Sequence, residues 1–290
     1  KLPKNSEIIA PCLNFGTAIS SILLNQCKPI LVDVNVNNLQ IDVSKIQKSI
    51  TKKTRAIMIP NLIGNIPDWI KINKIAKKNK IKIIEDSADT LGGKINNNPT
   101  GKYSDISITS FYGSHVISCA GNGGMLMLNN KNLQKKGKIL RSWGRLSSIQ
   151  KNSENINKRL SYILDGKNYD SKFIFSEIGY NFEPSELGAS FGLVQLQKFK
   201  KFEKIRENNF NYHLKFFKKL SDFFLVPEVE KNIKTNHLAY PVILRKNKYF
   251  SRNKIQIHLE KNNIQTRPIF SGNIMRHPAF KELKDYNRKK

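Results

Sequence analysis

Two hydrophobic rhythms alternate along the first two thirds of the chain. Short runs in which nearly every position is apolar, such as "ILVDV", "AIMIP" and "IKII", are separated by stretches whose apolar residues recur three and four positions apart. The runs suit strands covered on both faces, and the spaced stretches suit amphipathic helices. In order, a strand at Ile8 to Ala10 leads to a helix around Gly16 to Gln26, then "PILVDV" and a helix after Asp42. "AIMIP" follows, then a helix entered through Pro67 and Asp68 with Trp69, Ile70, Ile72 and Ile75 on its apolar face, then "IKIIED". Strand and helix in alternation predict an α/β fold with a mostly parallel sheet.

Beyond the sheet region the texture changes. Lys131 to Arg141 reads as a helix, and Ser147 to Lys172, rich in Asn and Lys, reads as an excursion outside the core. Pro184 to Leu220 is helical almost throughout, with Leu187, Phe191, Val194, Leu196 and Phe199 as its apolar stripe. Then come a strand at Leu238 to Leu244, a helix at Asn253 to Lys261 and a strand at Gln265 to Phe270. This predicts a large unit over 1–196, then a linking helix and part of a small α/β unit over 197–290. The chain opens without Met and at once enters a strand, and the small unit looks unfinished. Both ends are therefore expected to be truncated.

Composition narrows the classes. The 290 residues suffice for a sizeable core. Lys and Arg outnumber Asp and Glu by 50 to 22, for a net charge of +28, which raises a nucleic-acid reading. The excess is lysine spread along the whole length, without helix-turn-helix, zinc-finger or RNP-type features, so it reads as a solvated basic surface that would also attract phosphate-bearing small molecules. The three cysteines, Cys12, Cys27 and Cys119, show no paired spacing, so no disulfide, metal or iron–sulfur site is expected. No apolar run approaches membrane-spanning length and no export signal is apparent, which points to the cytoplasm.

Ligands of open α/β sheets bind beyond the carboxyl ends of the strands. Two places meet that rule. "IKIIEDSAD" sets Glu85, Asp86 and Asp89 after one strand, and "SITSFYGSH" sets Ser110 and His115 after another. Each alone could be a turn former, a helix cap or a packing histidine. Together they describe a site. "AGNGGM", Ala120 to Met125, lacks dinucleotide-binding spacing and precedes a strand, so it reads as a turn that needs positive φ.

The order of these pieces resembles the nucleotide-sugar aminotransferase family, the DegT/DnrJ/StrS group of fold type I pyridoxal-phosphate enzymes, along nearly the whole chain. The segments that carry the resemblance are "EIIAP", "PILVDV", "IDVSKIQKSITKKTRAIMIPNLIGN", "IIEDSADTLGG", "GKYSDISITSFYGSH", "GNGGML" and "GYNFEPSELGASFGLVQL". The resemblance implies a fold type I large domain and pyridoxal or pyridoxamine 5'-phosphate as cofactor. It makes Asp86 the carboxylate at the pyridine nitrogen, Asp89 a contact of the ring edge, Ser110 a phosphate ligand, and Asn181 a residue that reaches the neighbouring subunit's phosphate in a homodimer. The segment that completes the phosphate site would lie before residue 1.

Five residues after the phosphate serine, aminotransferases of this family carry the lysine that tethers the cofactor; here the residue is His115. Imidazole cannot form that bond, yet it can move a proton near neutral pH. "SFYGSH", "NLIGN" and "TRPIFSGNIMRHP" are similar to the 3-dehydratase branch of the family, which acts on nucleotide-linked 4-keto-6-deoxyhexoses. The resemblance thus implies C3 deoxygenation in deoxysugar or surface-polysaccharide biosynthesis, with His115 as base and Arg267, Asn273 and Arg276 as candidate substrate contacts. Of two subtypes, one regenerates its amine from a donor such as glutamate and the other carries an iron–sulfur cluster. Ser87 and Ala88 after Asp86, and no cysteine after "RSWGR", speak against the cluster type. An ordinary sugar aminotransferase and a non-catalytic or nucleic-acid-binding relative are the alternatives.

Overall fold

The apolar runs become strands because helices cover them from two sides. A computed structural model describes residues 2–283. In chain order its elements are β1 (Glu7–Pro11), α1 (Gly16–Leu24), β2 (Lys28–Val32), α2 (Val43–Ser49), β3 (Thr54–Pro60), α3 (Trp69–Lys78) and β4 (Lys82–Asp86). There follow β5 (Lys94–Ile95), β6 (Asn98–Pro99), β7 (Ile106–Ser110), β8 (Gly124–Leu128), α4 (Lys131–Arg141), α5 (Ile156–Arg159), β9 (Tyr162–Leu164) and β10 (Lys167–Tyr169). Last come α6 (Glu186–Lys218), β11 (Phe224–Leu225), β12 (Ile233–Lys234), β13 (Ile243–Leu244) and α7 (Arg252–Lys261).

The main sheet has the order β2-β1-β3-β4-β7-β8, parallel except for the antiparallel edge strand β8. The α/β, mostly parallel architecture read from the sequence is the one observed. Alternation along each strand divides the core in two. Ile9, Ile30, Val32, Ile57, Ile59 and Ile83 pack with Trp69, Ile72 and Ala76 of α3 and Ile46 of α2. Ile8, Ala10 and Ala56 face the other way, toward Ile19 and Ile22 of α1 and toward Ile274, Phe280 and Leu283. Both predicted helix starts are capped by side chains: Asp42 accepts from the Ser44 N–H and Asp68 from the Lys71 N–H, satisfying donors that have no partner within the helix.

Two strand expectations fail in the C-terminal third. Of Leu238 to Leu244 only Ile243 and Leu244 pair, with Phe224 and Leu225. Gln265 to Phe270 forms no strand. There the Thr266 N–H is taken by the Glu260 carboxylate and Pro268 has no N–H to give, so the run lacks the donors a ladder needs. Residues 147–172 do lie apart from the main sheet, but they fold into the short helix α5 and a β9–β10 hairpin. The Gly-rich turn is as expected: Ala120, Gly121 and Gly123 have φ of 54°, 99° and 144° and lead into β8. Most of the stripe on α6 is not packed within the chain, since Leu187 is 84% exposed and Phe191, Val194 and Leu196 are also exposed; only Phe199, half-buried with its ring over Gly92, packs inward. Among the described residues no helix is long and apolar enough to cross a membrane.

Trp69 is fully buried and donates its indole N–H to Asn61 Oδ1 at 2.8 Å. Trp69→Phe keeps most of the apolar volume but orphans that oxygen, and is expected to lower unfolding stability by about 1–3 kcal/mol. Chemical denaturation against Ile72→Val, expected to cost about 0.5–1.5 kcal/mol, checks the order.

Candidate active site

Parallel strands end on one edge, and the site is assembled there. β4 delivers Glu85 and Asp86 to opposite faces. Glu85 turns inward, fully buried, and accepts hydrogen bonds from Asn61 Nδ2 (3.1 Å), Ser87 Oγ (2.6 Å) and Ser104 Oγ (3.1 Å). It is thus a structural carboxylate behind the site. Asp86 stays partly open: its Oδ1 accepts the Ala88 N–H at 3.0 Å, and Oδ2 takes no hydrogen bond from the described residues. Burial is the main cause that pushes the Asp86 carboxyl above the usual carboxylate range; the Ala88 N–H and His115 oppose the rise, whereas Asp89 and Glu85 add to it.

The chain leaves β7 through Ser110, makes a closed loop and returns as β8. Phe111 receives the Cys119 N–H on its carbonyl and donates its own N–H to the Gly123 carbonyl, which ties the loop at its base. Buried Val116 and Ile117 anchor it, and a turn from Tyr112 to His115 (N–H to carbonyl, 3.0 Å) aims the imidazole. His115 Nδ1 lies 3.3 Å from Asp89 Oδ1. The ring N–H is off that line, so the contact is electrostatic, and Nδ1 has no other partner among the described residues. Catalytic hydrogen bonds are often loose before a ligand arrives. Asp89 Oδ2 accepts the Ile63 N–H at 2.8 Å, and the Tyr112 ring stands edge-on to His115 with centroids 6.3 Å apart.

Asp86, Asp89 and His115 therefore lie together at the strand-end edge, and Ser110 ends β7, accepting the Tyr112 N–H at 3.2 Å. Asn181 lies elsewhere, exposed and bridged to Ser142, between exposed Tyr180 and Phe182. Asn273 caps a short helical turn by accepting the Met275 N–H, and its segment pairs with Leu13 just past β1, on the same edge of the sheet as Asp86. Arg267 and Arg276 are exposed and pair with no carboxylate among the described residues. Sequence reasoning missed Asn61, which the strand-end rule applied to β3 would have found. It also missed Tyr112, whose ring stands against His115.

Comparison with known proteins decides the family. The chain matches the DegT/DnrJ/EryC1/StrS aminotransferase family over residues 1–290. It belongs to that family. It is 30% identical over 286 residues to the lipopolysaccharide biosynthesis protein RfbH of Salmonella typhimurium, covering 98% of this chain and 65% of that protein. To the dTDP-4-dehydro-2,6-dideoxy-D-glucose 3-dehydratase of Saccharopolyspora spinosa it is 30% identical over 287 residues, covering 98% of this chain and 62% of the relative. The chain thus spans somewhat less than two thirds of these two relatives. The solved Escherichia coli GDP-4-keto-6-deoxy-D-mannose-3-dehydratase with bound hydrated PLP superposes with a TM-score of 0.84 at 25% identity, covering 97% of this chain and 70% of that one. The fold type I architecture and the pyridoxal-phosphate character of the family agree with the reading of the sequence.

The residues fit such a cofactor. A partly buried carboxylate whose ionisation burial disfavours, with one oxygen free at the strand-end edge, is matched to a cationic ring N–H. The folded protein holds the Asp86 proton more tightly than the unfolded chain, so ionised Asp86 costs stability above its folded pKa, and that cost disappears as pH falls through it. Without cofactor, Asp86→Asn is therefore expected to raise Tm near neutral pH, with a gain that shrinks as the medium is acidified toward the unfolded value of 3.8. Thermal melts of both proteins across that range check it; an equal or lower Tm for the variant at neutral pH would contradict the assignment.

Proposed function

We propose that the chain carries a pyridoxamine-phosphate-dependent 3-dehydratase activity on a nucleotide-linked 4-keto-6-deoxyhexose, with residues 1–196 as the cofactor-binding unit and 197–290 as linking helix and partial small unit. The observation that carries the reading is the imidazole of His115, five residues after Ser110, beside Asp86 and 3.3 Å from Asp89. The relatives whose names state a 3-dehydratase activity agree with it.

When bound, the cofactor supplies an amine that condenses with the sugar ketone and a ring that takes up electrons. The chain's residues do the rest. Asp86 holds a proton between its carboxylate and the ring nitrogen. Asp89 faces Nδ1 of His115, which leaves Nε2 free to remove a proton beside the ring and to deliver it to the departing C3 hydroxyl. Ser110 is assigned to the phosphate, and Arg267, Asn273 and Arg276 to the substrate side. No iron–sulfur cluster enters this scheme, and the amine is restored from a donor such as glutamate. A homodimer is part of the proposal: exposed Ile178, Tyr180, Phe182, Leu187, Phe191 and Leu196 support it, as does Asn181 set among the first three.

Two measurements test the reading. Given pyridoxamine phosphate and a panel of nucleotide-linked 4-keto-6-deoxyhexoses, the protein is expected to remove one water from at least one of them, read by mass, and His115→Asn to slow this by about 10²–10⁴-fold. A borohydride-stable lysine adduct with pyridoxal phosphate in the unsubstituted protein would favour the aminotransferase alternative instead. Leu187→Glu, which puts a charge in the exposed α6 stripe, is expected to shift sedimentation from dimer to monomer; a monomeric parent protein would refute the dimer.

A further inference from the structure

The segment after β3 reaches in two directions. Toward the sheet, the Asn61 N–H bonds the Asp86 carbonyl at 2.8 Å, its carbonyl accepts Thr90 Oγ1 at 3.1 Å, and the Ile63 N–H holds one oxygen of Asp89 at 2.8 Å. Away from the sheet, the Ile63 carbonyl accepts the Leu238 N–H at 3.0 Å and the Gly64 carbonyl accepts the Thr235 hydroxyl. Thr235 and Asn236 are buried, and Asn236 Nδ2 adds a bond to the Leu91 carbonyl at 2.8 Å.

Ile63 sits at φ 49°, ψ 25°, a left-handed conformation that is costly for a β-branched residue and persists only where surrounding contacts over-determine it. Those contacts are identifiable: Asp89 on its N–H, the Thr235–Leu238 segment on the carbonyls. Gly64, at φ 90°, could not be replaced in place, since a Cβ there would stand 2.7 Å from the Asn236 carbonyl oxygen. The strained turn is thus clasped between the C-terminal segment and the carboxylate that faces His115.

We propose that Thr235 is a positioning residue for His115. Its hydroxyl pins the Gly64 carbonyl, the pinned turn presents the Ile63 N–H to Asp89 Oδ2, and that bond turns Asp89 Oδ1 toward His115 Nδ1. The outcome is a single imidazole tautomer, with the proton on Nδ1 and Nε2 bare. The groups that face the ring are Asp89, Asp86 and the Tyr112 ring; Thr235 acts through the first of them. The inference rests on His115 as the base of the proposed reaction, but its direct readout is independent of that activity.

The test is ¹⁵N NMR of the His115 ring nitrogens at a pH where the ring is neutral, on the cofactor-free protein, with Asp89→Ala as reference for an undirected ring. The Nδ1–H form is expected to dominate in the parent protein and in Thr235→Ser. Thr235→Val is expected to show a mixture of tautomers like the reference, with unchanged secondary structure by circular dichroism. Thr235→Ala, which removes the same hydroxyl with a smaller side chain, is expected to give the same mixture and serves if Thr235→Val does not fold. In turnover, Thr235→Val should lower kcat by up to about 10²-fold with KM little changed. The parent tautomer retained in Thr235→Val, or in Thr235→Ala where it serves instead, overturns the inference. Failure to find water loss with any sugar would count against the proposed reaction while leaving the tautomer result to stand or fall alone.

Discussion

Successive residues of a strand point to opposite faces, and at Glu85–Asp86 that alternation separates two adjacent carboxylates with opposite fates. Glu85 is fully buried, and its oxygens accept from Asn61, Ser87 and Ser104 in place of water. Asp86 keeps an oxygen free at the edge, and burial raises its affinity for a proton. Were β4 displaced by one residue, the free carboxylate would be inside and the satisfied one outside. The Glu85 network is the constraint that fixes this register, and the rest of the site is arranged around it. Through Asn61 the same network reaches Trp69 in the core and the Asp86 carbonyl, so the packing of α3 and the placement of the site are one problem.

A second carboxylate, three residues on, serves the imidazole. Asp89 divides its oxygens between a backbone N–H and His115, so its orientation is set by the main chain instead of by solvent. In the proposed reading, histidine in place of a lysine tether removes the covalent anchor and keeps a proton carrier. Such a base is only as good as its orientation. The closed loop from Phe111 to Gly123 supplies part of it, through the turn at Tyr112 and the buried pair Val116 and Ile117. The clasp around Ile63 supplies the other part.

The chain's exposed apolar residues belong to the same picture. Leu187, Phe191 and Leu196 on α6 and Ile178 to Phe182 before it are too apolar for a face meant for water, and Asn181 lies among them.

Much of this was written into local sequence. The two-sided apolar runs determined the parallel strands, Asp42 and Asp68 the helix starts, and the residues after β4 and β7 the candidates Asp86, Asp89, Ser110 and His115, because periodicity and strand-end position are properties of neighbouring residues. The strand expected at Gln265 to Phe270 failed because pairing needs a partner and donors, and one N–H there was absent and another spent on Glu260. Neither the inward turn of Glu85 nor the role of Asn61 could be read locally, since each depends on what packs across the sheet. Thr235 carries no local signal at all: it meets Gly64 171 positions away in sequence. Local chemistry determined which side chains could act; only the tertiary structure decided which way they face, because hydrogen bonds between distant segments form only after the chain has closed on itself.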